Sequence, residues 1–173
     1  PVEQVKATTS RLASIAKEAT TQAVMTEKME AVMAEVIDFK GFSARTLKGA
    51  WARLKPAQQT RFEGAFRGLV MTTYARRFKP GATFRVTVRG ETVFTDAPQA
   101  TVKTTIHGEK AAADVDYLFA PVTQGGAVTW RAVDIVVDEV SMARNWRRQF
   151  KRILKRDGFD VLVQKIEKKA AKR

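Results

Sequence analysis

The stretch VTWRAVDIVVDEVSMARNWRRQF, residues 128–150, sets the architecture of this chain. Its first half alternates with the period of a β-strand, with Trp130, Asp134 and Val136 on one face and large apolar side chains on the other face as well. A strand with two apolar faces is either central and covered on both sides, or lines a cavity with one face. The second half changes to the helical period of about 3.6 residues. The sequence therefore predicts a buried strand that leads directly into a helix.

This predicted helix has one apolar face and one strongly basic face. The apolar stripe consists of Met142, Ala143, Trp146, Phe150, Ile153 and Leu154. The basic face consists of Arg144, Arg147, Arg148, Lys151, Arg152 and Lys155. Because an apolar stripe of this kind packs on a core, the basic residues are predicted to face solvent.

The composition excludes several kinds of chemistry. The chain has 173 residues, of which 45% are apolar, so it can bury a substantial core as one domain. It has no cysteine, which excludes thiol catalysis and thiolate metal sites, and its one histidine, His107, argues against a zinc site or a Ser–His pair. No apolar run approaches the length of a membrane span. The chain starts at Pro1 without a signal peptide, so we expect a trimmed or mature form and leave export open.

The net charge of +13 is distributed unevenly along the chain. Residues 144–173 hold twelve Lys or Arg and only three acidic residues. Three interpretations compete for this excess: a solvated helix face, attraction to anionic lipid, and contact with nucleic-acid phosphates. Charge alone does not decide between them.

The N-terminal part of the chain reads as helical. Residues 2–37 predict two helices with a break at Thr20 and Thr21, since paired β-branched residues are poor helix formers. Gly41 is expected to end the second helix, and Ser43 to cap a short third one. The next helix is predicted to be long, beginning at Pro56 and ending near Phe78.

A β section follows, in which short turns require antiparallel neighbours. The predicted strands are residues 83–89 and 91–95, joined by a turn at Gly90, then 101–107, 111–119 and 128–137. Two C-terminal helices, separated at Asp157 and Gly158, complete the chain. The fold class is therefore α+β: N-terminal helices, a curved antiparallel β-meander and two C-terminal helices that enclose an apolar pocket. We expect one domain over residues 1–173, with a helical layer at about 1–79 and 140–173 and a sheet at about 82–138.

Two carboxylates are the candidates for catalysis. If the Trp130 face of the strand is interior, Asp134 is a buried acid that could act as a general base, and Asp116 is open to the same interpretation. A salt bridge, or a cap for the following helix, is the favoured explanation. No Gly-rich phosphate loop, catalytic carboxylate pair or metal-ligand spacing is present. We therefore expect no enzyme, no catalytic residue and no metal.

Three segments resemble a known family. The first runs from VDY at 115–117, through GG at 125–126 and Trp130, to VDIVVDEVSMARNWRRQF at 133–150. The others are IDFKGFSARTLKGAWARLKPAQQTRFEGAF at 37–66 and GFDVLVQKIEKK at 158–169. In this order they resemble the MlaC family, the toluene-tolerance auxiliary proteins, over most of the chain.

The resemblance implies a function. MlaC proteins are periplasmic phospholipid carriers that support outer-membrane lipid asymmetry, so we expect a monomeric, soluble periplasmic protein with a bound phospholipid and no other cofactor. The implied partners are an outer-membrane lipoprotein complex (MlaA-like) and the MCE subunit of an inner-membrane ABC transporter (MlaD-like). Nucleic acid is not expected. The alternatives are a small enzyme with a cone-shaped fold that uses Asp134 or Asp116 as base, and a basic nucleic-acid-binding protein.

The resemblance also implies a binding site between sheet and helices. The residues expected to contact lipid tails are Phe66, Leu69, Tyr74, Phe84, Val86, Val102, Ile106, Tyr117, Trp130, Val136, Trp146 and Phe150. Arg147 is the first candidate for pairing with the head-group phosphate, followed by Arg144 and Arg148.

Overall fold

The structure is a computed structural model that describes residues 1–75, 77–94 and 96–171. The predicted strand end at Thr95 and the basic residues Lys172 and Arg173 lie outside the described residues, as does Arg76 in the predicted long helix.

Helices form the first part of the chain and a meander the second, as predicted. The helical elements are α1 (Val2–Glu18), α2 (Gln22–Val36), α3 (Phe39–Leu47), a 3₁₀-helix (Lys48–Arg53), α4 (Pro56–Ala75) and the C-terminal α5 (Met142–Ala170). The strands are β1 (Arg85–Phe94), β2 (Gln99–His107), β3 (Ala112–Gln124), β4 (Ala127–Val137) and β5 (Val140–Ser141). They form one antiparallel sheet in the order β1-β2-β3-β4-β5, which confirms the α+β class.

The break between α1 and α2 falls at the predicted place. Thr21 caps α2, with its hydroxyl oxygen accepting from the Val24 N–H at 3.3 Å. The predictions that Gly41 ends the second helix and that Ser43 caps the third helix were wrong. Asp38, rather than Ser43, caps α3, and its carboxylate accepts from the Gly41 N–H at 3.0 Å. Gly41 lies inside this helix, at a position where a Cβ would collide with the capping Asp38 carboxylate. Ser43 is buried one turn further along.

Gly90 does not make a turn. The strands predicted on either side of it are one strand, β1, whose pairing with β2 shifts between Val88 and Gly90. A β-bulge adds one residue to a strand and bends it, and a strand glycine is as typical of a bulge as of a turn. The local sequence does not distinguish the two.

A second bulge lies in β4. Ala132 pairs with Phe119 and Asp134 pairs with Leu118, so β4 contains one extra residue, Val133, at this point. The extra residue interrupts the predicted alternation and places Asp134 on the face opposite to Ala132. β4 is also not central, because β5 beside it has only two residues.

The rest of the free edge of β4 is covered by the two residues that join α2 to α3. Ile37 forms a parallel bridge to Ala132, and the Asp38 N–H donates to the Ala132 carbonyl oxygen at 2.9 Å. Backbone groups that would otherwise be free for pairing with another chain are thereby satisfied.

The helices gather on the apolar face of the sheet. On that face Val86 pairs with Ile106. On the polar face Arg89 forms ion pairs with Asp114 at 3.4 Å and Asp116 at 2.9 Å. An antiparallel sheet commonly has one packed and one solvated face.

Five interlocked rings join α3, α4 and α5. We call them the aromatic core: Phe42, Phe62, Phe66, Trp146 and Phe150. The Phe66 ring lies 5.0 to 6.2 Å from each of the other four, measured between centroids, mostly edge to face. Such pairs contribute about 0.5–1.5 kcal/mol each beyond their buried area. The apolar stripe of α5 is therefore buried here, as predicted.

The two C-terminal helical segments are continuous except at Gly158. Its φ of 84° and ψ of 179° interrupt the helix, which confirms the predicted separation at Asp157 and Gly158. Arg156 and Lys165 on either side of the interruption pair with Asp157 at 2.8 and 2.9 Å. Their hydrogen bonds hold the pKa of Asp157 well below its usual range. The second segment returns along α4, where the Thr72 hydroxyl donates to the Ala170 carbonyl oxygen at 3.0 Å.

Candidate ligand cavity

A cavity of about 550 Å³ lies between the apolar face of the sheet and the N-terminal helices. Volumes of this size are typical of small-molecule and cofactor sites. The walls come from α1, the end of α2, the end of α4 and strands β1 to β4. One face of β4 lines the cavity through Ala132, Ile135 and Val137, which fits the second explanation for a strand with two apolar faces.

The floor of the cavity is apolar and deeply buried. It is formed by Ile37, Val115, Phe119, Ala132 and Ile135, none of which exposes more than 7% of its surface. α1 closes the cavity with Val5, Thr8, Thr9 and Leu12. The Thr9 hydroxyl donates to the Val5 carbonyl oxygen at 2.8 Å, so this polar group is satisfied within its own helix. The α1 side of the cavity therefore offers mainly dispersion contacts to a ligand.

The mouth lies where the lining becomes exposed. The exposed lining residues are Arg77, Lys79, Thr83 and Gly108 to Ala112, on the segment after α4 and on the β2–β3 turn. Phe78 and Phe84 stand beside them with ring centroids 4.9 Å apart. Both loops are at the same end of the sheet, because β1 begins where β2 ends.

The mouth is predominantly cationic. Arg77, Lys79 and Lys110 line it, against one acid, Glu109. The Arg77 guanidinium lies over the ring of Tyr74, 5.9 Å from its centroid. The arrangement therefore combines an apolar chamber with an entrance that favours an anionic group.

Both tyrosines of the chain line the cavity. Burial raises the pKa of Tyr117 to about 12, with a hydrogen bond to Thr104 acting in the opposite direction. Burial likewise raises the pKa of Tyr74 above its ordinary value. The Tyr74 hydroxyl is buried without a hydrogen-bond partner among the described residues. Both side chains are neutral at physiological pH, which keeps the wall uncharged.

The twelve residues expected to contact lipid tails divide into two groups. Tyr74, Phe84, Val86, Ile106 and Tyr117 line the cavity. The other seven do not: Phe66, Leu69, Val102, Trp146 and Phe150 are buried in the solid core, and Trp130 and Val136 are half-buried on β4. The spacing of apolar residues predicts burial for both groups. It does not show which of these residues border an open volume.

The three head-group candidates lie on α5, away from the cavity wall. The Arg147 side chain donates to the Arg45 carbonyl oxygen, between α5 and α3. Arg144 and Arg148 are exposed. None of the three lines the cavity.

Sequence reasoning missed the contribution of α1 and the cations of the mouth. The signal in α1 is an apolar residue, Leu12, and a helical apolar residue is equally consistent with ordinary core packing. The signal for the mouth was basic residues beside turn glycines, as in Lys79-Pro80-Gly81 and Gly108-Glu109-Lys110. Only the sheet pairing shows that these two loops meet at one end.

Both candidate catalytic acids have structural roles. Asp134 is 4% exposed and accepts hydrogen bonds from the Ser141 hydroxyl at 2.6 Å, the Ala143 N–H at 3.0 Å and the Ile135 N–H at 2.9 Å. It thus holds the start of α5 against β4, as the favoured explanation predicts, with Arg45 at 3.9 Å. Asp116 pairs with Arg89 on the polar face of the sheet. Neither carboxylate lines the cavity.

Two further properties hold for the described part of the chain. No cluster of His, Asp or Glu side chains there is arranged to hold a metal ion. None of the helices formed by residues 1–75, 77–94 and 96–171 is both long and apolar enough to cross a membrane.

The fold and the cavity define a class: an α+β protein in which helices and one face of an antiparallel sheet enclose an apolar chamber with a cationic mouth. The chain belongs to the MlaC family, whose model, described as MlaC protein, matches residues 3–168. This match confirms the resemblance found in the sequence.

A solved structure has the same fold. It is the phospholipid-binding protein from Ralstonia solanacearum, in complex with a phospholipid, and it aligns over 98% of this chain and 96% of its own with a TM-score of 0.82. The two sequences are 20% identical, so the similarity establishes the fold. A search among curated proteins gives no significant sequence match.

Proposed function

We propose that this protein is a phospholipid carrier of the periplasm, which holds acyl tails in the cavity and the head group at the mouth. The observation that carries the proposal is the apolar chamber that opens to the surface through Arg77, Lys79 and Lys110. Membership of the MlaC family and the phospholipid bound by a protein of the same fold support it.

The cavity solves the solubility problem of a lipid tail. Each methylene removed from water contributes about 0.8 kcal/mol, so an acyl chain does not cross an aqueous compartment unshielded. Relative to a bilayer, an apolar pocket is close to neutral, since both environments hide the chain. Release then requires only a modest decrease in the affinity of the pocket for the lipid when a partner binds, without nucleotide hydrolysis in this chain.

Side chains already placed at the cavity define the proposed contacts. The tails lie against Tyr74, Phe84, Val86, Ile106 and Tyr117, and extend toward the floor at Phe119 and Ala132. The phosphate pairs with the cations of the mouth, led by Arg77, whose guanidinium is positioned by the Tyr74 ring. This assignment replaces Arg147 as the first head-group candidate, because the Arg147 side chain bonds to the α3 backbone.

The proposed role is binding and delivery, not catalysis. The partners proposed from the family are an MlaA-like outer-membrane lipoprotein complex and an MlaD-like MCE subunit of an inner-membrane transporter. Asp134 and Asp116 make ion pairs and hydrogen bonds outside the cavity, so they do not face a ligand held there.

A transfer assay tests the proposal. Donor vesicles with a pyrene-labelled phospholipid are mixed with unlabelled acceptor vesicles, and loss of excimer fluorescence is followed with and without the protein. We expect the rate to rise in proportion to protein concentration. No acceleration, combined with no labelled lipid comigrating with the protein in gel filtration, contradicts the proposal.

The assay has a matched pair of variants. Ala113→Trp places a large ring at the cavity wall, and Ala52→Trp places the same ring on the exposed 3₁₀-helix. Transfer should fall for the first and stay at the wild-type rate for the second.

A further inference from the structure

One face of α5 carries five exposed basic residues that the ligand cavity does not use. We call it the basic stripe: Arg144, Arg148, Lys151, Arg152 and Lys155. Their spacing places them on one side of the helix, over a length of about 16 Å at 1.5 Å per residue. On the opposite side, Trp146 and Phe150 are each only 5% exposed and belong to the aromatic core. The stripe is therefore held rigidly by the core beneath it.

The charges of the stripe are not compensated within the described part of the molecule. Residues 142–156 contain no acid, and no ion pair of the described residues involves a member of the stripe. Two basic residues further along the same helix, Arg156 and Lys165, are in contrast paired with Asp157.

This concentration of charge has a cost for the helix. Arg144 and Arg148, Arg148 and Arg152, and Lys151 and Lys155 are like charges four residues apart. Like-charge pairs at this spacing destabilise a helix. An internal gain that offsets this cost is not found among the described contacts, so an external anionic surface is the natural partner.

The stripe starts at the end of the molecule that contains the cavity mouth. Val137 lines the cavity and pairs with Val140, and α5 begins two residues later. The Asp138 N–H donates to the Asp114 carbonyl oxygen at 2.9 Å, which ties this corner to the beginning of β3, beside the mouth. Arg144 is therefore within the first turn of a helix that leads away from the mouth.

We propose that the basic stripe docks the protein on the surface of an anionic phospholipid bilayer. The choice of a bilayer rests on the proposed function, because the complexes proposed to supply and accept the lipid lie in phospholipid membranes, whose surface the carrier approaches. Basic residues near such a surface contribute roughly 1 kcal/mol each. A straight helix presents its charges to a flat surface together, with the mouth at one end.

Nucleic acid fits the stripe less well. Binding to single strands uses exposed aromatic rings on which bases stack, and the rings of α5 point into the core. The stripe also contains no apolar residue that could insert into the bilayer, so docking is electrostatic, reversible and weakened by salt.

Vesicle co-sedimentation tests this inference, with the protein at low and at high salt. The vesicles are phosphatidylcholine alone, and phosphatidylcholine mixed with phosphatidylglycerol. We expect binding only to the mixed vesicles, and release by salt. Two variants that lower the net charge equally are compared. The stripe variant carries Arg148→Gln, Lys151→Gln, Arg152→Gln and Lys155→Gln. The control variant carries Lys17→Gln, Lys28→Gln, Arg53→Gln and Lys55→Gln, all at exposed positions.

The stripe variant should lose about a thousandfold in vesicle affinity, since four basic residues at roughly 1 kcal/mol each correspond to nearly three factors of ten, and the control variant less than about tenfold. Equal losses in the two variants overturn the inference, since net charge would then act without a specific surface. Failure of the wild type to bind mixed vesicles also overturns it, and binding of an acidic protein or of DNA by the stripe would then identify the occupant.

The phospholipid content of each variant separates this inference from the proposed function. Extracted lipid should be the same in the stripe variant and the wild type, because the stripe does not line the cavity. A protein that docks on vesicles but never contains lipid contradicts the carrier function and leaves the docking surface intact.

Discussion

The molecule contains two apolar regions that share α4 but differ in how they are filled. Phe62 and Phe66 of α4 interlock with Phe42, Trp146 and Phe150 in the aromatic core. Two turns after Phe66, Tyr74 of the same helix lines the cavity. The comparison shows that burial and packing are separate properties, which one helix combines along its length.

The size of the facing side chains explains the difference. In the aromatic core, aromatic rings from three helices pack against one another. In the cavity, α1 brings aliphatic and hydroxyl side chains and no ring against the sheet, where Ala113 and Ala132 are small; the α1 residues are Val5, Thr8, Thr9 and Leu12. α1 is held at both ends, by the Val2 N–H, which donates to Glu91 of β1 at 2.9 Å, and by the apolar cluster of Ala16, Ala19, Met25 and Met29. It therefore covers the sheet without filling the space beneath.

The largest expected effect is a loss of stability on substitution in the aromatic core. Phe66→Ala removes the central ring of the aromatic core and should lower the free energy of unfolding by about 3–5 kcal/mol. Val86→Ala, at the half-buried cavity wall, should cost only about 1 kcal/mol because its side chain already borders open volume. Urea titrations of both variants check this. Equal losses would mean that the two regions are packed alike.

Asp134 tests the junction between the two regions. Asp134→Ala leaves the Ala143 N–H and the Ser141 hydroxyl without their buried acceptor, so we expect a loss of about 3 kcal/mol in stability. Asp116→Ala removes an acid that pairs with Arg89 on the polar face and should cost under about 1 kcal/mol. Thermal unfolding distinguishes them. A stable Asp134→Ala protein that no longer transfers lipid would revive a direct role for this carboxylate.

Filling the cavity should change ligand content more than stability. In Ala113→Trp, extracted phospholipid per chain should fall about tenfold, while Ala52→Trp should keep the wild-type content. Mass spectrometry of denatured protein measures the content, and circular dichroism shows whether each variant is folded. A folded Ala113→Trp protein with full lipid content would place the ligand elsewhere.

The smallest effect is on the ionisation of the cavity wall. The pKa of Tyr117 is about 12 in the folded protein, and its ordinary value is 10.0. Because the folded-state pKa is raised, the associated stability is complete below pH 10 and is lost as pH rises toward 12. Tyrosinate absorbance should therefore appear well above pH 10 in native protein and near pH 10 in denaturant. Native titration near pH 10 would indicate a wall open to water.

Much of the fold could be predicted from the sequence. Helical periodicity located both faces of α5, and paired threonines marked the end of α1. The errors came from residues with two local meanings. Gly90 lies in a β-bulge, although its local sequence is equally consistent with a turn. The sequence Asp38-Phe39-Lys40-Gly41 begins a helix, although Gly41 there resembles the glycine that ends one. In each case the tertiary pairing decides between two local conformations of similar energy.

The candidate site was less accessible to sequence reasoning. The same alternation places Val102 in the solid core and, four residues later on the same strand face, Ile106 at the cavity. The bulge at Val133 reverses the face on which Asp134 lies, and a period-two alternation does not reveal it. The mouth depends on two loops that are about thirty residues apart and meet only through the pairing of β1 with β2.

A native mass spectrum of the protein, purified without detergent from bacterial cells, shows whether the cavity holds a phospholipid. We expect a dominant species heavier than the chain by the mass of a phospholipid, and loss of that mass on denaturation. Ala113→Trp should shift the population to the bare chain, and Phe66→Ala should not, as long as it remains folded. A wild-type spectrum that contains only the bare chain, after incubation with phospholipid vesicles as well, would contradict the account.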